Sequence, residues 1–223
     1  MIQGTEEWHE SRLGNLTASR CHEAIAKTKS GYSASRQRLM DELINERLTG
    51  ERKTVSPSPA MQWGIETEPF ARQRYEIIKN CDVYEVGSIM HPIIAESSAS
   101  PDGLVGNDGL IEIKCPNTTT MVNTVLSGKI PENYQTQMAW QLACTERQWC
   151  DFVMYDPRLP EHRQIWIMRY QPTREHIESL EFEVIEFLQQ TRERISSFEE
   201  IIDANFESQS VENVTKTCQN QRG

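Results

Sequence analysis

The sequence predicts an α/β protein: a small mixed central sheet flanked by helices, with a helical section at the N-terminal end. Three observations predict it. The first third keeps apolar residues at helical spacing, as in Leu39, Met40, Leu43, Ile44 and Leu48. The middle switches to short strand-like runs, two of them joined by the turn Gly106-Asn107-Asp108-Gly109. The last third returns to a helical period with Ile177, Leu180, Val184, Ile185 and Leu188.

In chain order, Thr5 caps a short helix through Trp8 and Arg12, and Gly14 stops it. Thr17 or Ser19 caps a second helix over Cys21 to Ala26. A third runs from Ser35 to Leu48 and ends at Gly50. The polar, proline-bearing stretch from Glu51 to Pro59 is a loop, and a fourth helix covers Ala60 to Asn80 with a possible break near Pro69. Strands follow at Val83 to Ile89, Glu96 to Ser100, Gly103 to Val105 and Leu110 to Cys115. Then come helices at Thr118 to Leu126 and Pro131 to Thr145, and strands at Trp149 to Tyr155 and Gln164 to Tyr170. A long amphipathic helix starts after Pro172, and a weaker one includes Phe198 to Ile202. From Glu207 large apolar residues nearly vanish, so residues 207–223 read as a polar tail that is flexible or ordered only by a partner. Residues 1–206 form one domain, since 223 residues suffice for a single core.

The net charge of −10 argues against a protein that merely coats DNA, because such a protein must replace counterions on phosphates. It leaves room for an enzyme with a local basic channel and an acidic exterior. The six cysteines include no CxxC pair and no cluster with zinc spacing. No signal segment opens the sequence and no apolar run approaches spanning length, so a cytoplasmic protein with reduced thiols is expected.

The chemistry concentrates in Ser100-Pro101-Asp102-Gly103 and Glu112-Ile113-Lys114. Alternation along a strand sends Glu112 and Lys114 to one face, roughly 7 Å apart. The hairpin folds Asp102 back beside Glu112. Two carboxylates are hard ligands for Mg²⁺ or Mn²⁺, and a neighbouring ammonium can orient water or stabilise phosphoryl charge. The Ile113 carbonyl is a further candidate oxygen ligand. Taken alone, an acid and a lysine two apart can be a solvated surface pair, and Asp102 in Pro-Asp-Gly an ordinary turn residue. The hairpin of matching length between them makes the combination specific.

This pattern resembles the PD-(D/E)xK nuclease motif and, more narrowly, the lambda exonuclease family of viral recombinase exonucleases, across about Trp8 to Tyr170. The resemblance rests on Trp8-His9-Glu10-Ser11-Arg12-Leu13-Gly14 with Thr17-Ala18-Ser19, on Trp63-Gly64-Ile65-Glu66-Thr67-Glu68, on the hairpin ending Lys114-Cys115-Pro116, on Tyr134-Gln135-Thr136-Gln137, and on Tyr155-Asp156-Pro157-Arg158. It implies a restriction-endonuclease-like core and a Mg²⁺-dependent 5′→3′ exonuclease. Such an enzyme degrades one strand of linear double-stranded DNA and leaves a 3′ overhang. The implied metal ligands are Asp102, Glu112, the Ile113 carbonyl and Glu68, with Glu66 the rival third carboxylate, for one or two ions. Lys114 would activate or position water with help from Gln137. Arg12, Ser19 and Ser100 would hold the 5′-phosphate, and Met61 would wedge between strands. Arg158 reads as structural or as a DNA or subunit contact. The resemblance also implies a homotrimeric ring around DNA, a single-strand annealing protein as partner, and a phage or prophage gene acting in a bacterial cytoplasm. Competing readings are an endonuclease or resolvase on the same core, a nuclease carrying an iron–sulfur cluster, and an inactive DNA-binding module. The isolated cysteines speak against the cluster, and the presence of Asp102, Glu112 and Lys114 against the inactive module.

Overall fold

Local chemistry accounts for most element boundaries in the computed structural model, which describes residues 2–52 and 56–220, with side chains through residue 206. Helix α1 (Glu6–Glu10) starts where the Thr5 hydroxyl accepts the Trp8 N–H at 3.3 Å. Strand β1 (Leu16–Thr17) leads through a 3₁₀ turn, Ala18–Arg20, into α2 (Cys21–Ala24). A small hairpin, β2 (Lys27–Thr28) with β3 (Gly31–Tyr32), precedes α3 (Ala34–Thr49). Ser33 caps α3 and Gly50 ends it in the left-handed region. Ser58 caps α4 (Pro59–Lys79). Strands β4 (Val83–Tyr84), β5 (Ile89–Met90), β6 (Ser97–Ala99), β7 (Gly103–Val105) and β8 (Gly109–Lys114) follow. The rest is α5 (Thr118–Ser127), α6 (Glu132–Thr145), β9 (Trp149–Tyr155), β10 (Ile165–Tyr170) and α7 (Arg174–Asn220).

The central sheet has the order β10-β9-β8-β7-β4, with β8 and β9 parallel and the other pairs antiparallel. Helix α4 covers one face, where Ala71 and Tyr75 meet Ile111, Ile113 and Val153. Helices α5 and α6 cover the other, where Met121, Met138 and Leu142 meet Leu110, Phe152 and Met154. A second sheet, β1-β6-β5, belongs to the N-terminal helical section, whose core joins Leu16, Leu39, Leu43, Trp140, Val184 and Phe187. Helix α6 is thus shared by two cores: Met138 and Leu142 serve the central sheet, while Trp140 and Cys144 serve the helical section. That double anchoring holds its glutamines rigidly over β8.

The fold is α/β, with a small mixed sheet flanked by helices and a helical N-terminal section, as the sequence predicts. Several details differ. The strand expected over Val83 to Ile89 is two strands in two sheets, because the chain crosses between the sheets there. Thr17 precedes the 3₁₀ turn without capping it; its hydroxyl instead meets that of Ser19 at 3.3 Å. Pro69 does not break α4, which is capped at its start and held by buried Ala71 and Tyr75 beyond the proline. The two helices expected after Pro172 are one, since no glycine or proline separates Leu188 from Phe198. The tail expected from Glu207 falls on residues whose side chains lie outside the description.

Candidate active site

The site is built on a hairpin and closed by a helix. Register pairs Gly103 with Ile111 and Leu104 with Leu110, with Gly106 turning at φ +55°. A Cβ at Gly103 would overlap Val83 Cγ1, so only glycine lets β4 close against the start of this hairpin. Asp102, one residue earlier, then stands beside the end of β8, where its Oδ2 accepts the Ile113 N–H at 2.6 Å.

Glu112 is fully buried on the α6 face. Its Oε1 accepts from Gln137 Nε2 at 2.6 Å and lies 2.5 Å from Lys114 Nζ. Its Oε2 accepts from Gln141 Nε2 at 2.6 Å. Lys114 Nζ also sits 5.3 Å from the centre of the Tyr134 ring, which stacks on Phe152. Gln141 was not singled out by sequence reasoning. The signal available was its spacing: Gln137 and Gln141 are four apart on a helix and therefore share a face.

The electrostatics are unbalanced. Burial raises the Asp102 carboxyl well above its usual range, and the charges of Glu112 and Glu68 push it further, against Lys114 and the Ile113 N–H. Glu68 on α4 is raised by burial as well, with Arg72 opposing and Glu112 adding to the rise. Burial disfavours the Lys114 charge, but Glu112 and Asp102 outweigh it and hold the ammonium above its ordinary value. Asp102 and Glu112 thus share one lysine, with the charge of Glu68 nearby.

Glu68 pairs with Arg72 at 2.6 Å, so its charge reaches the site while its carboxylate is engaged elsewhere. Glu66, the rival third carboxylate, is exposed and accepts from Gln62 Nε2 at 2.7 Å. Among the described residues no three His, Cys, Asp or Glu side chains are grouped to cage a metal unaided. Mg²⁺ makes a smaller demand, taking one or two carboxylates and completing its shell with water and phosphate oxygens. Asp102 and Glu112, with the charge of Glu68 nearby, fit that demand.

The N-terminal block docks on the same loop. Trp8 Nε1 donates to Ser100 Oγ at 3.0 Å, and the Arg12 guanidinium lies 4.0 Å from the Trp8 ring centre. Gln3 Nε2 donates to the carbonyls of Val86 and Pro101, both at 2.9 Å. Burial and then the charge of Arg52 lower the Arg12 pKa to about 10, which still leaves a full cation at neutral pH. Ser19 is exposed beside Thr17, in the turn after the strand that pairs with β6. The structure joins Arg12 to Ser100 through Trp8; among the described residues the Ser19 hydroxyl meets that of Thr17 in its own turn. Met61 is 57% exposed in the first turn of α4, with Ile65 on the same side at 61%. Arg158 binds buried Asp156 and the Pro116 carbonyl and lies over Trp63, tying α4, the loop after β8 and the end of β9 together.

The matching family model is the YqaJ-like viral recombinase domain, over residues 7–148. The chain belongs to that family. Arg12, Ser19, Glu68, Ser100, Asp102, Glu112, Lys114, Gln137 and Gln141 fall inside the matched span. Among solved structures the chain is similar to an alkaline exonuclease, LHK-Exo, from Laribacter hongkongensis, with 49% identity and a TM-score of 0.82 over 88% of this chain and 97% of that one. The same exonuclease in complex with dAMP matches at 48% identity and a TM-score of 0.83, again over 88% and 97%. A phage-related exonuclease from Haemophilus somnus 129PT shares the fold at a TM-score of 0.64 and 14% identity, over 83% of this chain and 96% of that one. No curated protein matches. Among the described residues no helix is long and apolar enough to cross a membrane.

Proposed function

We propose that this YqaJ-like chain is a metal-dependent deoxyribonuclease of the PD-(D/E)xK type. On this reading it digests one strand of linear duplex DNA in the 5′→3′ direction and leaves a 3′ overhang. The observation that carries the reading is the convergence of Asp102, Glu112 and Lys114 at one end of a hairpin, with Glu112 buried and held on both oxygens. Similarity to an alkaline exonuclease at close to half identity supports the reaction class. The dAMP complex of that relative supports a mononucleotide as product.

Asp102, Glu112 and the Ile113 carbonyl would hold one or two Mg²⁺ or Mn²⁺ ions, with Glu68 adding charge beside them. Bound there, a divalent ion would supply Lewis-acid polarisation of the scissile phosphate and acidify a water. Lys114, kept protonated by its carboxylates, stabilises negative charge on the phosphoryl group and orients the attacking water. A base role requires those carboxylates to be neutralised first. Gln137 fixes Glu112. Arg12 and Ser100, linked by Trp8, receive the terminal phosphate, with Ser19 at the margin and Met61 as the strand-separating wedge. A homotrimeric ring would place basic residues around DNA and acids outside, which reconciles the charge of −10 with the substrate. An annealing protein would take up the overhang, in a phage or prophage recombination pathway in the bacterial cytoplasm.

The test is digestion of linear duplex DNA labelled at one 5′-phosphate, with Mg²⁺ or with EDTA, by wild type and Lys114→Ala. Mg²⁺-dependent release of labelled mononucleotide, lost in the variant, is the expected result. Release from the 3′ end would overturn the direction. Cutting of closed circles would favour an endonuclease, and retained binding without digestion an inactive module.

A further inference from the structure

We infer that Gln141 is a positioning residue that orients the Glu112 carboxylate for a divalent ion and thereby sets metal affinity; this rests on the metal-dependent reading above. The inference starts from the carboxylate itself. A carboxylate offers about four lone-pair positions on two oxygens. On Glu112, Gln137 and Lys114 share Oε1, while Gln141 alone holds Oε2. One oxygen has two partners and the other has one. Without Gln141 the group is pinned at a single oxygen, and its plane can rotate about that anchor.

The position of Gln141 argues that this role, not packing, explains the residue. Its side chain is fully buried on a helix whose neighbouring buried positions, Met138, Leu142 and Cys144, are apolar, and an apolar residue of the same size would fill the space. Its Oε1 is buried and finds no protein partner among the described residues. An unmatched buried carbonyl oxygen destabilises a fold, and the adjacent positions avoid it by being apolar. Among the described residues the one favourable polar contact of the side chain is the bond to Glu112. Exchanging the amide ends would set oxygen against oxygen, so the contact also fixes which end faces the carboxylate. Helix α6 cannot easily shift to relax this geometry, because Trp140 and Cys144, flanking Gln141 on the helix surface, anchor it in the second core.

The test is Mn²⁺ titration of the full chain by calorimetry without DNA, for wild type, Glu112→Gln, Gln141→Met and Gln141→Asn, with circular dichroism and thermal melts of each. Met keeps the volume and removes the donor; Asn keeps an amide that is one methylene too short. The expected result is about 10–100-fold weaker Mn²⁺ binding for Gln141→Met, with a smaller loss of the same sign for Gln141→Asn and no binding by Glu112→Gln. In digestion assays the Mg²⁺ concentration for half-maximal rate should rise by a similar factor, and saturating Mg²⁺ should recover most of kcat. A purely structural residue would lower the melting temperature without moving that midpoint. Wild-type affinity in a folded Gln141→Met, or in Gln141→Asn where the Met variant fails to fold, overturns the inference and leaves the metal reading standing. Equal Mn²⁺ binding by wild type and Glu112→Gln, or none by wild type, overturns the metal site itself.

Discussion

Two buried carboxylates on neighbouring strands show what separates a lock from a reactive site. Glu112 on β8 and Asp151 on β9 are both fully buried, on opposite faces of the same sheet, since register sets Ile111 beside Asp151 and Glu112 beside Phe152. Asp151 accepts the Tyr75 hydroxyl at 2.9 Å and the Arg169 fork at 2.8 and 3.1 Å, and Lys79 lies 3.7 Å away. Arg169 in turn stacks on Trp149. That charge is matched by a rigid bidentate partner, with a second cation, Lys79, close by. Glu112 has two neutral amides and one flexible lysine, and it shares that lysine with Asp102. The difference teaches that burial alone does not make a carboxylate reactive. An excess of acids over fixed cations does, because only an added cation relieves it.

The sharpest way to break this comparison is to remove the lysine. Lys114→Ala should slow digestion of linear duplex DNA by about 10²–10⁴-fold, whereas Asp151→Asn should leave the rate per folded molecule near wild type. Single-turnover assays decide it, and equal losses in both variants would erase the distinction.

Stability should respond in the opposite order. Asp151→Asn deprives the buried Tyr75 hydroxyl and the Arg169 fork of their charged acceptor and should lower the unfolding free energy by about 1–3 kcal/mol in urea melts. A neutral result would mean that the Asp151 cluster is not a lock.

A pH series sharpens the same contrast. Asp102 and Glu68 have raised values in the fold, so the native chain keeps protons that the unfolded chain has released. In metal-free buffer their contribution to stability therefore falls as pH climbs from the ordinary carboxylate range through the raised values. Asp102→Asn should melt higher than wild type at neutral pH in EDTA, and the gap should close as pH drops toward 4. Asp156 shifts the other way: burial is overruled by hydrogen bonds from Arg158 and Thr118, so its stabilisation is lost as pH falls. A gap that widens on acidification would contradict the crowding of Asp102.

The smallest effect belongs to the docked N-terminal block. Trp8→Phe keeps the ring under Arg12 and removes the 3.0 Å bond to Ser100. We expect a loss of about 0.5–1.5 kcal/mol in binding a 5′-phosphorylated end, read as a few-fold higher KM against an unchanged kcat. An unphosphorylated end should show little change.

The hairpin from Asp102 to Lys114 was legible because everything that shapes it is local. Turn residues set the register, alternation sets the faces, and Gly103 marks the close approach of β4. The helix start at Thr5 and the stop at Gly50 follow from the same short-range chemistry, whereas α1 ends at Glu10, before the stop expected at Gly14. The strand at Val83 was misjudged because its apolar run does not reveal which sheet each half joins.

Sequence by itself therefore determined the α/β class, the first helix cap at Thr5, the site hairpin and the identity of Asp102, Glu112 and Lys114 as candidates. Only the tertiary structure decided that Glu66 is a surface residue, that Gln141 holds Glu112, that Asp151 is locked from the other face, and that Trp8 reaches Ser100 across 92 residues of chain. The physical reason is distance along the chain. A turn or a cap is settled by neighbours whose geometry the residues themselves dictate, whereas contacts between remote segments depend on how two cores close around α6. No periodicity in one segment records which residue of another will face it.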